Sequence, residues 1–147
     1  MSIAMEEAKI AFELGEVPIG AVIVLDGEIV SRAHNMKEQW KDAMAHAETV
    51  AINRAVKQLG HWRHLRHSAL YVTLEPCPMC AGAIVQSRIK LLVYGADDPK
   101  AGAVCSLMNI VQDPRLNHRV EVVAGVMQKE CSEIMKDFFK KLRNSEV

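Results

Sequence analysis

No stretch of this sequence stays apolar for long enough to cross a membrane. The longest run starts at Ile19 and is broken at Asp26-Gly27. The N-terminus also lacks a basic stretch followed by a hydrophobic one. It carries Glu6 and Glu7 instead, so it does not read as a secretory signal, and the cytoplasm is the default compartment. Cysteine is sparse, at four residues, and its placement argues against a disulfide framework. Cys77 and Cys80 stand too close for ordinary disulfide partners, whereas Cys105 and Cys131 flank different elements. Metal binding or free thiols fit better. Net charge is zero, which by itself speaks weakly against a nucleic-acid partner. There is no internal repeat, linker or low-complexity segment, so residues 1–147 are expected to form one domain. A chain of this size buries roughly 70% of its unfolded surface, enough for a core without covalent staples.

The distribution of charge is less neutral than its sum. Residues 1–30 hold six acids and one base, whereas residues 49–74 hold Arg54, Lys57, Arg63 and Arg66 and no acid. The tail adds Lys136, Lys140, Lys141 and Arg143 against Asp137. This pattern describes either a basic face on a neutral molecule or a set of solvated helix faces.

Hydrophobic periodicity orders the elements. Ile3, Ala4, Ala8, Ala11 and Leu14 share one helical face, with Gly15 as the stop. Ile19–Leu25 and Glu28–Ala33 read as strands joined by Asp26-Gly27, a strong hairpin signal. A helix is predicted from about Ala45 to Leu59, closed by Gly60. Ala69–Leu74 follows as a strand, Cys77–Gln86 as a short helix, and Lys90–Tyr94 and Val120–Val126 as strands. Gln128–Arg143 is the last helix. The order α-β-β-α-β-α-β-β-α implies an α/β domain of three layers, α/β/α, around a five-stranded sheet. The opening hairpin makes that sheet mixed.

Two motifs carry chemistry: His46-Ala47-Glu48, and Pro76-Cys77-Pro78-Met79-Cys80. Both fall at strand-to-helix transitions. Cys77 and Cys80 are three apart, so on a helix they share a face and can grip one ion. The electropositive helix start favours thiolates there, and Pro76 and Pro78 suit it because a missing N–H costs little at that place. His46 would complete a three-ligand zinc site. A structural zinc prefers four protein ligands, whereas three leave a position for water. Glu48 lies about 200° around an ideal helix from His46. His46 is therefore expected in the entry turn, with Glu48 reaching the pocket from the first full turn. Zinc lowers the pKa of its water towards ~7. Glu48 would pass a proton from that water to a ring nitrogen and, after the attack, protonate the departing ammonia, serving as base and then as acid. The spacing H-x-E … P-C-x-x-C is the signature of zinc-dependent nucleobase deaminases.

The likeness extends well beyond those motifs. Glu16-Val17-Pro18-Ile19-Gly20-Ala21, Tyr71 through Ala83, Asp98 through Ala103, Ser106-Leu107-Met108, Asn117-His118-Arg119-Val120 and Phe138-Phe139 resemble the bacterial tRNA-specific adenosine deaminases over nearly the whole chain. The resemblance implies a cytidine-deaminase-like fold, one zinc per subunit of a homodimer, and conversion of adenosine to inosine at the wobble position of an arginine tRNA. It also implies that Asn35 contacts the flipped adenosine. The backbone around Ala47 and Pro76 would hold the base and its leaving amine, with Asp98, Lys100, Asn117 and Phe138 around the anticodon nucleotides. Each has a plainer reading: Asn35 as a turn residue, Lys100 as a loop charge, Phe138 as a core residue.

The chain departs from the family's pattern in places. His61 through His67 is more basic than the family's usual loop, either an extra RNA contact or a solvated loop with Trp62 packed inward. Cys105, where a small residue is common, is expected to be buried. Three other functions compete. A zinc deaminase of a free base or nucleoside needs the same metal site and no basic face. A non-catalytic zinc module would close its shell with Cys105, Cys131 or His34. A dithiol redox protein would leave His46 and Glu48 unexplained.

Overall fold

The computed structural model describes residues 1–146. The first helix, α1 (Ser2–Glu13), precedes the hairpin of β1 (Gly20–Leu25) and β2 (Glu28–His34). Asp26 and Gly27 both take positive φ, 51° and 77°, as a tight two-residue hairpin turn demands. A short helix α2 (Lys37–Trp40) leads to α3 (Ala47–Leu59), which Gly60 ends at φ 79°. Then come a 3-10 turn (Trp62–His67), β3 (Ala69–Leu74), α4 (Pro78–Gln86), β4 (Leu91–Ala96), β5 (Glu121–Ala124) and α5 (Gln128–Ser145).

The five strands form one sheet in the order β2-β1-β3-β4-β5. β1 pairs antiparallel with β2 and β3, while β3, β4 and β5 run parallel. The sheet is mixed, as the hairpin requires. Parallel neighbours need crossovers, and these are α4 between β3 and β4 and the long segment 97–120 between β4 and β5. The crossover into α4 starts where β3 ends, so the Cys77 segment lies at the carboxyl end of the parallel strands.

Alternation along β2 separates the layers. Ser31 and Ala33 are buried on one face, where the Ser31 hydroxyl donates to the Ala51 carbonyl of α3. Arg32 and His34 point to the other face and meet Glu7 of α1. α3 and α4 thus cover one face and α1 and α5 the other. Small residues let α1 lie close to the sheet: Ala4, Ala8 and Ala11 are fully buried. A Cβ on Gly20 would come within 1.9 Å of the Ala4 carbonyl oxygen. The larger cluster, including Ile23, Leu70, Ile84, Ile89 and Leu92, fills the α3/α4 side.

Two helical pieces, α2 and the 3-10 turn, lie where the sequence reads as loop. Both are too short to show a 3.6-residue hydrophobic period. β5 is four residues long against the seven expected, because Gly125 turns the chain at φ 81°. Trp62 does not pack inward. It is 40% exposed with the Arg63 guanidinium 5.1 Å from its ring centre, and Leu65 anchors the turn. No helix among the described residues is long and apolar enough to cross a membrane.

Candidate metal centre

His46 is the residue just before α3, in extended conformation (φ −78°, ψ 155°). Cys77 takes the same place before α4 (φ −72°, ψ 173°), with Pro78 opening the helix and Cys80 in its first turn. The amino-terminal ends of two helices therefore meet at one point, and their partial positive charge favours anionic sulfur. His46 Nδ1 lies 3.6 Å from Cys77 Sγ and 3.5 Å from Cys80 Sγ. All three donor atoms lie within 4.8 Å of one another, close enough to hold one metal ion. Cys77 is held down at about 4, above all by its bond with Cys80 and then, against burial, by His46. The Cys80 thiol is pushed far up by Cys77 and by burial.

Glu48 points into the same pocket from the first turn of α3, and it is 4% exposed. Burial pushes its carboxyl above the usual range, and nearby Cys77 adds to this. The bonds it accepts from its own amide and from Cys80 pull the other way. The extended backbone at His46 explains how residues two apart reach one spot: the helix begins only at Ala47.

None of the alternative fourth ligands joins the group. The His34 ring is bonded to Glu7 at 2.6 Å on the opposite face of the sheet. Cys131 is buried against Met5, its sulfur 3.5 Å from the Met5 sulfur. Cys105 is exposed, not buried as expected. Its backbone N–H is held at 2.9 Å by Glu75, and its side chain is turned out.

The other candidate residues divide. Asn35 is buried, and its Oδ1 accepts from the Ala47 N–H at 2.8 Å, tying the end of β2 to the start of α3. Pro76 is buried beside Cys77, and its carbonyl accepts from the Ala103 N–H at 2.8 Å. Asp98 and Lys100 lie just past the end of β4, at the same carboxyl end of the sheet as Cys77. Asp98 Oδ1 accepts from the amides of Lys100 and Ala101, while Lys100 is exposed. Asn117 is not brought to the group. The segment has by then crossed back to the other end of the sheet, where neighbouring His118 bonds the Ile89 carbonyl. Phe138 is also withdrawn, 7% exposed, with its ring edge-on to Phe12 at 5.8 Å. α5 turns that position onto α1, so the core reading describes it, and Phe139 is the exposed ring of the pair.

Among the buried acids that sequence reasoning missed, two brace the segments that carry the group. Glu16 accepts from the Gln39 N–H at 2.7 Å and so fixes α2, in the segment between Asn35 and His46. Glu75 receives the loop that follows β4. Each sits beside apolar neighbours, Val17-Pro18-Ile19 and Leu74-Pro76. A charge in such a setting signals a buried hydrogen-bond hub.

Residues 1–143 match the family of MafB19-like deaminases. The tRNA-specific adenosine deaminase of Bacillus subtilis (strain 168) is 54% identical over 143 residues, covering 97% of this chain and 88% of that protein. A solved structure from work on A-to-I editing by tRNA deaminases at the wobble position of transfer RNA is 47% identical, with a TM-score of 0.88. The match covers 91% of this chain and 96% of that one. A guanine deaminase from Nitrosomonas europaea shares the fold at a TM-score of 0.81, with 18% identity over 93% of this chain and 81% of that one.

Proposed function

This chain belongs to the tRNA-specific adenosine deaminases, and we propose that it converts adenosine to inosine at the tRNA wobble position with zinc held by His46, Cys77 and Cys80 and with Glu48 as proton carrier. The observation that carries this reading is the three-donor group with a buried carboxylate beside it that is not a ligand. Nitrogen and sulfur donors at ordinary zinc distances and a tetrahedral angle lie about 3.6 Å apart. The 3.5 and 3.6 Å separations support zinc.

A zinc ion bound there would supply a water acidified enough to attack a ring carbon near neutral pH. Glu48, buried beside the three donors, would accept a proton from that water. It would then deliver that proton to the ring nitrogen next to the attacked carbon, take the second proton from the newly attached hydroxyl, and pass it to the amine as it leaves as ammonia. Asn35 commits its carbonyl oxygen to Ala47, which leaves its amide N–H groups to donate to the purine edge. The backbone at Ala47 and Pro76 flanks the base, and Lys100 sits where it can meet a phosphate beyond it.

The substrate is an arginine tRNA and the working form is a homodimer with one zinc per subunit, acting in the cytoplasm. Trp40, Met44, Leu107 and Met108 support the dimer: they are large apolar side chains left exposed on a single chain. The zinc-loaded protein should be incubated with an anticodon stem-loop and, separately, with free adenosine, guanine and cytosine. Inosine formed only in the RNA is the expected outcome. Turnover of a small molecule alone would overturn the reading and favour a free-base deaminase.

A further inference from the structure

The Glu75 carboxylate is surrounded by donors from one loop. Its Oε1 accepts from the Asp98 N–H at 3.1 Å and from the Ser106 hydroxyl. Its Oε2 accepts from the N–H groups of Val104, Cys105 and Ser106 at 3.1, 2.9 and 2.9 Å. Five donors occupy a carboxylate that has about four lone-pair sites, so none is left for substrate or metal. Gly102 packs directly on the carboxylate: a Cβ there would lie 2.4 to 2.5 Å from its carbon and both oxygens.

This hub joins two parts of the site that are distant in sequence. The Glu75 N–H donates to the Ala96 carbonyl at the end of β4, and the next residue's carbonyl, that of Pro76, receives the Ala103 N–H, both at 2.8 Å. The segment that ends in the Cys77 ligand is thus pinned to the loop 97–106 by side chain and backbone together. Within the loop, the Asp98 carbonyl accepts from the Gly102 N–H, and its carboxylate caps the turn that presents Lys100. Successive N–H groups aimed at one anion form a rigid nest, and here the anion belongs to the protein.

The geometry points to Glu75 as a positioning residue that sets the Lys100 loop at a fixed height and angle beside the metal centre, so that the loop meets the RNA backbone preformed. It touches neither the reacting atoms nor the metal group. A loop ordered in advance lowers the entropic cost of binding, so Glu75 acts on substrate affinity and not on the chemical step. The inference rests on the reading of Lys100 as an RNA contact.

The test is steady-state kinetics of the zinc-loaded protein on an anticodon stem-loop. Glu75→Gln places an amide N–H group among backbone donors without changing the side chain's size. It should raise KM about tenfold or more, keep kcat within about threefold, and retain one zinc per chain. Ser106→Ala, which removes one donor and leaves the charge, should shift KM in the same direction by about threefold. It serves as the test if the Gln variant does not fold. Lys100→Ala should raise KM alone but add little in the Glu75→Gln background, because the misplaced loop no longer presents Lys100. The two effects multiplying independently, or a fall in kcat at unchanged KM, would overturn the inference. If Lys100→Ala raises KM and neither Glu75→Gln nor Ser106→Ala does, the positioning role alone fails. If Lys100→Ala leaves KM unchanged, the RNA-contact reading fails and the inference with it.

Discussion

Glu48 and Glu75 are 4% and 2% exposed, and each stands two residues from a side chain of the group that could hold a metal ion. Their surroundings differ in kind. Glu48 faces two thiols and an imidazole, and burial raises its pKa. Glu75 faces the Ser106 hydroxyl and four backbone amides, and these outweigh burial to hold it at about 2. Burial alone therefore does not set a carboxylate's role; the donors placed around it do. A carboxylate with few donors around it and a raised pKa is suited to taking up and releasing a proton. One saturated by N–H donors stays ionised and holds backbone in place.

The largest expected effect comes from removing the ionisable group where the donors are few. Glu48→Gln should retain zinc, because the side chain is not a ligand, and should lose roughly 10²–10⁴-fold in turnover. Metal analysis of the purified variant and single-turnover inosine formation measure both. Cys80→Ala is the contrast, and it should release the ion. Loss of zinc from Glu48→Gln would erase the distinction between proton carrier and ligand.

Gly102→Ala tests the other side. The added Cβ meets a carboxylate that five donors hold in place, so the overlap cannot be relieved by a swing of the side chain. Overpacking of this kind costs about 1–3 kcal/mol. It should appear as a lowered urea midpoint at unchanged slope. A variant as stable as the parent would mean that the nest around Glu75 is loose.

The clustering of His46, Cys77 and Cys80 was legible because it is written in short spacing: H-x-E and P-C-x-x-C are local, and so is the helix start that each implies. The hairpin at Asp26-Gly27 and the helix stop at Gly60 were legible for the same reason. The nest around Glu75 was not, because its donors are backbone N–H groups, which every residue carries. They reach Glu75 only after residues 97–106 fold back across 23 to 31 positions of sequence. Asn117 and Phe138 show the converse. Likeness places them near the substrate, but the crossover to β5 carries Asn117 to the far end of the sheet, and the face of α5 that meets α1 takes Phe138 inward.

Glu7, on the opposite face of the sheet, sharpens the comparison with a third arrangement. It is buried at 6% exposure and bonded to His34 and Arg32, each at 2.6 Å. Against the upward pull of burial, these partners lower its pKa below 4.5. A carboxyl depressed in the folded state contributes stability above its unfolded value and loses it as pH falls through the folded one. Glu7→Gln should therefore cost about 1 kcal/mol near neutral pH, the size of a net hydrogen bond. That gap should close progressively below pH 4.5. Urea unfolding of both proteins across that range measures it, with activity at neutral pH unchanged because Glu7 lies across the sheet from the metal group. A gap that persisted undiminished in acid would show that Glu7 holds α1 to β2 by packing and shape, with its charge immaterial.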